Sequence, residues 1–243
     1  MSNTDLIKEL VKNARTTKEW VSGKDWVQYA GPYFTHEEYV KAVKTLLGGW
    51  LVLGAEANKF ETKFPKLLGK EFGLFVNSGS SANLLMLLAL TSKRGRNLPK
   101  GTKVITPIAG FPTTINPILQ LGFQPIFVDI ELDTLNLDLD AVERACQEHP
   151  DAKVITFAHV LGNPPNMNRL MEIIKQYNLI LLEDCCDALE QNMTDNNEIV
   201  EGLVVNMNDL FDGKSTADVA HSLIVSLATL LLTHNIETLG QMS

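Results

Sequence analysis

The feature that most constrains the fold of this 243-residue chain is a regular alternation of short apolar runs and longer helix-compatible segments between residues 73 and 184. Strands that alternate with helices in this way require right-handed βαβ crossovers and a mostly parallel sheet. The chain is therefore predicted to be an α/β protein. The predicted strands are 74–77, 103–107, 125–129, 153–158 and 179–184, with helices over 81–92, 112–121, 139–148 and 167–177.

The first 72 residues are predicted to be helical. An amphipathic pattern covers 5–19, and a capping box that begins at Thr35 opens a helix that ends before the glycine pair at 48–49. A further helix is predicted over 55–68. We expect this segment to pack on the α/β part of the chain.

The charge distribution predicts a boundary near residue 189. The net charge is −8, and residues 190–243 carry eight acidic residues against one base, Lys214. Residues 1–189 are nearly neutral, so the predicted divisions are 1–72, a large domain at 73–189, and a divergent acidic segment at 190–243. The acidic balance argues against nucleic acid or an anionic membrane as partner.

Three further observations predict a cytoplasmic protein. The N-terminus is polar and does not resemble a signal peptide. The apolar run at 223–232 is too short to span a bilayer. The three cysteines, two of them adjacent, do not form a disulfide framework.

Small polar residues follow the first predicted strand and lead directly into a helix. Gly79, Ser80 and Ser81 stand at this turn. Small side chains let a ligand approach the backbone, and the first N–H groups of a helix attract anions, most often phosphate. The alternative is an ordinary βα turn in which a serine caps the helix.

Other chemically distinctive residues follow later strands, at the edge where parallel sheets bind ligands. Phe111 either lies against a planar ligand or packs in the core. Asp184 ends an apolar strand and either pairs with a donor or caps the next segment, and His159 either serves a site or is a core histidine. A phosphate-binding turn, an aromatic ring and a carboxylate would together hold a pyridoxal-type cofactor.

Residues 20–189 resemble the DegT/StrS branch of the fold-type-I pyridoxal-phosphate enzymes. Within that branch they are most similar to the CDP-4-dehydro-6-deoxyglucose 3-dehydratases of lipopolysaccharide sugar synthesis. The resemblance implies a three-layer α/β/α large domain, here truncated because nearly half of the family's length has no counterpart. The blocks that carry it, all in the family's order, are 48–54, 77–84, 110–114, 129–136, 158–164 and 183–188.

The resemblance also implies a role for each matching residue. The cofactor would be pyridoxamine 5′-phosphate or pyridoxal 5′-phosphate, and the substrate a nucleotide-linked 4-keto-6-deoxy sugar bound by a homodimer. The implied cofactor-binding residues are Gly79, Ser80 and Ser81 at the phosphate, Phe111 on the ring face, Asp184 at the pyridine nitrogen, and His159 and Asn163 beside the ring.

The catalytic base is the least defined part of the resemblance. Family aminotransferases use a lysine, whereas the 3-dehydratases use a histidine with an untethered pyridoxamine cofactor. An alignment with one insertion after residue 189 places His234 near that histidine, and Lys214 follows Asp184 at roughly the lysine spacing. The dehydratase iron–sulfur cluster is expected to be absent, because Cys146, Cys185 and Cys186 do not have ligand spacing.

Three functions therefore stay open at the level of sequence. The chain could be a dehydratase of lipopolysaccharide deoxysugar synthesis, inactive if truncated, or a sugar aminotransferase of the same family. It could also be a non-catalytic fragment or dimer partner. Under each of the three, the chain descends from a cofactor-binding protein. Only a catalytic base close to the cofactor would favour the two enzyme alternatives over the non-catalytic one.

Overall fold

The computed structural model describes residues 2–14, 20–27, 36–67, 70–188, 191–192 and 199–200. The chain divides into two compact units, Met1–Lys59 and Phe60–Ser243. In the first unit α1 (Asn3–Ala14) packs against α2 (His36–Leu47), and each buries a valine, Val11 and Val40. Helix α3 (Ala55–Leu67) begins in the first unit and ends in the second.

The second unit contains the predicted alternation of helices and strands. After α4 (Gly79–Thr91) the elements come in the order expected from the sequence, and most predicted boundaries are within two residues of the observed ones. They are β1 (Lys103–Pro107), α5 (Pro112–Gln120), β2 (Gln124–Val128), α6 (Leu139–Glu148), β3 (Val154–Ala158), a 3₁₀ turn (Val160–Gly162), α7 (Met167–Tyr177) and β4 (Ile180–Asp184).

The main sheet is parallel and has the strand order β2-β1-β3-β4. Strands β1 and β2 pair along five residues, as do β3 and β4. Strands β1 and β3 pair only at Val104↔Val154 and Ile105↔Ile155. From β1 the chain continues to β2 on one side of the sheet, and from β3 it continues to β4 on the other side. The carboxyl ends of β1 and β3 therefore form the topological switch point, which is where open parallel sheets bind ligands.

Helices cover both faces of this sheet, as the three-layer prediction requires. Successive strand residues point to opposite faces. One core joins strand residues Val104, Val154 and Leu182 to α4 and α5, and the other joins Ile105, Ile155 and Phe157 to α6 and α7. We refer to these as the α4/α5 face and the α6/α7 face.

The predicted strand at 74–77 is wrong. These residues are described but form no strand, because no neighbouring strand in the described chain pairs with them. The backbone N–H of Phe75 instead donates to Glu61 Oε1 at 2.8 Å, and its ring packs edge-on against Phe60. An apolar run has strand propensity, but a strand exists only where a second one supplies the ladder.

Two features lie beyond β4. Strand β5 (Gln191–Asn192) pairs antiparallel with β6 (Ile199–Val200) in a separate two-residue ladder. Lys214, His234 and the apolar run at 223–232 lie outside the described residues. Within the described ranges, no helix is long and apolar enough to cross a membrane.

The α4/α5 core predicts a large effect of a single truncation. Leu182 is fully buried, and we expect Leu182→Ala to lower the free energy of unfolding by about 2–5 kcal/mol, because it removes buried apolar contacts and leaves a cavity. Leu132→Ala is the matched control, since Leu132 is 84% exposed and its truncation should change that free energy by less than about 0.5 kcal/mol. Denaturant unfolding followed by circular dichroism measures both, and equal effects would contradict the core assignment.

Candidate functional site

The candidate site is centred on Asp184, the last residue of β4. Its side chain is on the α4/α5 face, two residues after Leu182, and the residue is 3% exposed. Oδ2 accepts a hydrogen bond from Asn83 Nδ2 at 2.7 Å and from Thr114 Oγ1 at 3.4 Å. Oδ1 accepts the backbone N–H of Cys186 at 3.1 Å. The carboxylate therefore has donors from α4, from α5 and from the loop that follows β4.

These donors do not neutralise the carboxylate. No lysine, arginine or histidine among the described residues forms an ion pair with Asp184. A buried charge without a cation is costly, and every hydrogen bond that Asp184 accepts, including one from the Cys186 thiol, comes from a neutral donor. The site can therefore accept a cationic N–H from a ligand.

The N-terminus of α4 faces the same end of the sheet. Ser78 is the N-cap, and its Oγ accepts the backbone N–H of Ser81 at 3.2 Å. The cap leaves the N–H groups of Gly79 and Ser80 without a partner inside the helix. The first turn contains no acidic residue, so these two groups and the helix dipole favour an anion. The serine-cap alternative and the phosphate prediction are thus compatible, since Ser78 caps the helix while the backbone N–H groups of Gly79 and Ser80 have no partner within it.

The loop after β4 brings this helix start close to Asp184. A Cβ built on Gly79 would lie 2.9 Å from Cys186 Sγ, so the thiol would have to shift to admit a larger residue. Desolvation, together with the hydrogen bond to Asp184 and the negative charges of Asp184 and Asp187, raises the pKa of the Cys186 thiol to about 12. Cys186 therefore stays protonated at neutral pH and does not act as a thiolate nucleophile.

Phe111 is not a core residue. It is the N-cap of α5 and is 66% exposed, and Thr114, one helical turn later, donates to Asp184. The ring is therefore free to contact a ligand at the carboxyl end of β1. Its stacking role stays a prediction.

His159 and Asn163 follow β3, and their side chains make different contacts. The backbone N–H of His159 donates to the Asp184 carbonyl, but its ring is fully buried, 3.0 Å from Glu183 Oε1 through Nε2 and edge-on to Phe157. The His159 ring thus contacts residues of the α6/α7 face. Asn163 is exposed, and its carbonyl accepts a hydrogen bond from Asn136 Nδ2 at 2.7 Å.

The structure adds three residues that the sequence analysis missed. Asn83 and Thr114 hold the Asp184 carboxylate, and Asn136 also donates to the Ala158 carbonyl, which fixes the turn after β3. Asn83 carries one sequence signal, because it is the polar residue inside the apolar run 82–90. Nothing local in the sequence distinguishes the other two.

A small cleft lies at the switch point, where β1 and β3 separate. Thr106, Pro107 and Gly110 line it on one side and Ala158 on the other. The Thr106 hydroxyl is buried and has no hydrogen-bond partner among the described residues. Across those residues, no group of three or more His, Cys, Asp or Glu side chains is placed to hold a metal ion.

Comparison with known proteins gives concordant matches. The DegT/DnrJ/EryC1/StrS aminotransferase family matches residues 33–200. The lipopolysaccharide biosynthesis protein RfbH of Salmonella typhimurium is 42% identical over 188 residues, which are 76% of this chain and 43% of that protein. The GDP-4-keto-6-deoxy-D-mannose 3-dehydratase of Escherichia coli O55:H7 is 36% identical over 150 residues, 61% of this chain and 38% of that enzyme.

Solved structures agree with the sequence comparison. The E. coli GDP-4-keto-6-deoxy-D-mannose-3-dehydratase with bound hydrated PLP has a TM-score of 0.63 and 34% identity, covering 68% of this chain and 42% of that one. The chain thus spans about two fifths of the length of the relatives it matches.

The close approach of Gly79 to Cys186 predicts a rescuable defect. We expect Gly79→Ala to lower the melting temperature, because the added methyl would overlap Cys186 Sγ, and Cys186→Ala in the same chain to restore most of the loss. Gly110→Ala is the control, since its Cβ would meet nothing within 4 Å. Thermal melts of the unmodified chain and the three variants test this, and a melting temperature that Cys186→Ala does not restore would rule out the contact as the cause.

Proposed function

The chain belongs to the DegT/DnrJ/EryC1/StrS aminotransferase family, and on that premise we propose that its α4/α5 face binds pyridoxamine or pyridoxal 5′-phosphate. We further propose that the chain acts, with that cofactor, in the elimination of the C-3 hydroxyl as water from a nucleotide-linked 4-keto-6-deoxy sugar. The single observation that carries the proposal is Asp184, a buried carboxylate with neutral donors and no cation among the described residues.

The described residues fit the cofactor at three points. The free N–H groups of Gly79 and Ser80, with the side chains of Ser80 and Ser81, would hold the phosphate. Phe111 would cover one face of the ring. In the proposal His159 and Asn163 support the ring from the turn after β3, His159 through its backbone bond to the Asp184 carbonyl.

The protein's own contribution is binding, orientation and electrostatics. A pyridoxal-type cofactor, when bound, supplies an electron sink for bond cleavage next to its reactive carbon. Asp184 would keep the ring nitrogen protonated, because a carboxylate beside a pyridinium favours its charged form. Burial of Asp184 excludes water from that contact and strengthens it.

The relatives favour dehydration over amino transfer. Two curated relatives named as 3-dehydratases are 41% and 36% identical to this chain. Aminotransferase structures are more distant; the aminotransferase from Psychrobacter cryohalolentis is 25% identical, against 34% for the E. coli 3-dehydratase structure. Those dehydratases carry dTDP- and GDP-linked sugars in their names, whereas the sequence motifs resemble the CDP-sugar enzymes, so the proposal specifies the 4-keto-6-deoxy sugar and leaves the nucleoside open.

The remaining parts of the proposal come from the resemblance alone. His234 is the proposed base of a dehydratase, and Lys214 that of an aminotransferase; both lie outside the described residues. A homodimer in the cytoplasm, acting without an iron–sulfur cluster of its own, completes the proposal.

Loss of cofactor binding in one conservative variant tests the proposal. We expect the purified chain to bind pyridoxamine 5′-phosphate saturably, and Asp184→Asn to weaken binding at least ~10-fold, because a charge-assisted hydrogen bond is replaced by a neutral one. Asp133→Asn is the matched control, since Asp133 is exposed and takes no part in the hydrogen bonds at Asp184. Calorimetry and absorbance measure both, and absence of binding by the unmodified chain would refute the proposed function.

A covalent trap distinguishes the two candidate bases. Treatment with pyridoxal 5′-phosphate and borohydride should leave no stable adduct in a dehydratase-type site, because a histidine base does not tether the cofactor. His234→Ala should then retain binding but abolish turnover of a 4-keto sugar nucleotide. An adduct mapped to Lys214 by mass spectrometry, and absent in Lys214→Ala, would assign the chain to the aminotransferases instead.

A further inference from the structure

Asn83 is a buried polar side chain inside an apolar helix. It lies in the second turn of α4, between Ala82 and the apolar residues that follow, and is 4% exposed. Its Nδ2 group donates to Asp184 Oδ2 at 2.7 Å and to the Thr113 carbonyl at 3.3 Å. Both amide hydrogens therefore have acceptors, and each acceptor belongs to a different element.

The two hydrogen bonds connect the three parts of the candidate site. Helix α4 begins with the proposed phosphate-binding turn, and Thr113 is in the first turn of α5, two residues after the N-cap Phe111. Asp184 ends β4. One amide thus connects α4, the first turn of α5 and the Asp184 carboxylate.

The amide also fixes the rotation of the carboxylate. Asn83 holds Oδ2, and the backbone N–H of Cys186 holds Oδ1, so the group cannot turn about its Cβ–Cγ bond without losing one of them. We infer that Asn83 is a positioning residue that orients the Asp184 carboxylate toward the ring nitrogen of the cofactor. This inference rests on the proposed function.

The chemistry of asparagine suits this task better than that of other donors. A lysine or arginine at this position would neutralise Asp184 and compete with a cationic N–H of the ligand. Leucine, of similar size, would leave the Asp184 oxygen and the Thr113 carbonyl without the donor they share. A neutral amide orients the carboxylate and leaves its charge available.

The test compares two probes that differ at one atom. Pyridoxamine 5′-phosphate has a ring nitrogen, and its 1-deaza analogue has carbon there, so the ratio of their dissociation constants reports the contact with Asp184. We expect the unmodified chain to prefer the nitrogen-containing probe, and Asn83→Leu to reduce that preference by about tenfold, as loss of a hydrogen bond to a charged group implies. If Asn83 had only a structural role, its replacement would weaken the binding of both probes equally and leave the ratio of their dissociation constants unchanged.

Two controls separate positioning from folding. Asn166→Ala removes the N-cap of α7, whose side chain accepts the Arg169 N–H at 3.2 Å; it should lower the melting temperature without changing the ratio. Asn83→Ser is a smaller change than Asn83→Leu, because it keeps a polar group at this position. The serine hydroxyl is one bond shorter than the amide and should not reach Asp184, so we expect this variant to show the same reduced preference for the nitrogen-containing probe as Asn83→Leu. Asn83→Leu added to Asp184→Asn should change the ratio no further, because both act on one contact.

The outcomes distinguish the inference from the function on which it rests. An unmodified chain that binds neither probe overturns the proposed function and, with it, the inference. Binding with a ratio that both Asn83 variants leave intact overturns the inference alone. Additive effects of Asn83→Leu and Asp184→Asn on the ratio would also overturn it, since they would show that Asn83 acts elsewhere.

Discussion

The burial of the Asp184 carboxylate is the constraint on which the arrangement of this end of the sheet depends. A charge that is 3% exposed requires donors, and here they come from Asn83 in α4, Thr114 in α5 and the backbone of Cys186. Each donor ties its element to the carboxyl end of β4. The positions of the two helices relative to the strand are therefore set by polar contacts as well as by the apolar core beneath them.

The partial pairing of β1 with β3 opens a small cleft between the carboxyl ends of the two strands. If their ladder ran the full length of both strands, the carboxyl ends would be closed by backbone hydrogen bonds, as they are between β3 and β4. Because the ladder stops after Ile105↔Ile155, the strand ends separate and the chain leaves in opposite directions. The buried Thr106 hydroxyl, unpaired in the described part of the chain, lines the resulting cleft.

The sequence predicted what depends on local pattern and missed what depends on distant partners. The hydrophobic period and the length of each segment were enough to predict strands β1 to β4 and helices α4 to α7. They failed at 74–77, where apolar residues lack a strand to pair with, and Glu61 in α3 takes a backbone donor instead. Asn83 and Asp184 are 101 residues apart, so no local pattern predicts their contact, although Asp184 itself was predicted from its position at a strand end.

Glu183 and Asp184 show why one of two adjacent carboxylates is suited to a ligand. Strand alternation sends them to opposite faces of the sheet. Glu183 meets the buried His159 ring at 3.0 Å, so its partner is supplied by the protein. Asp184 meets only neutral donors among the described residues, and these orient it without neutralising its charge. The carboxylate on the α6/α7 face therefore has an ionisable partner within the protein, whereas the carboxylate on the α4/α5 face has no cation beside it among the described residues.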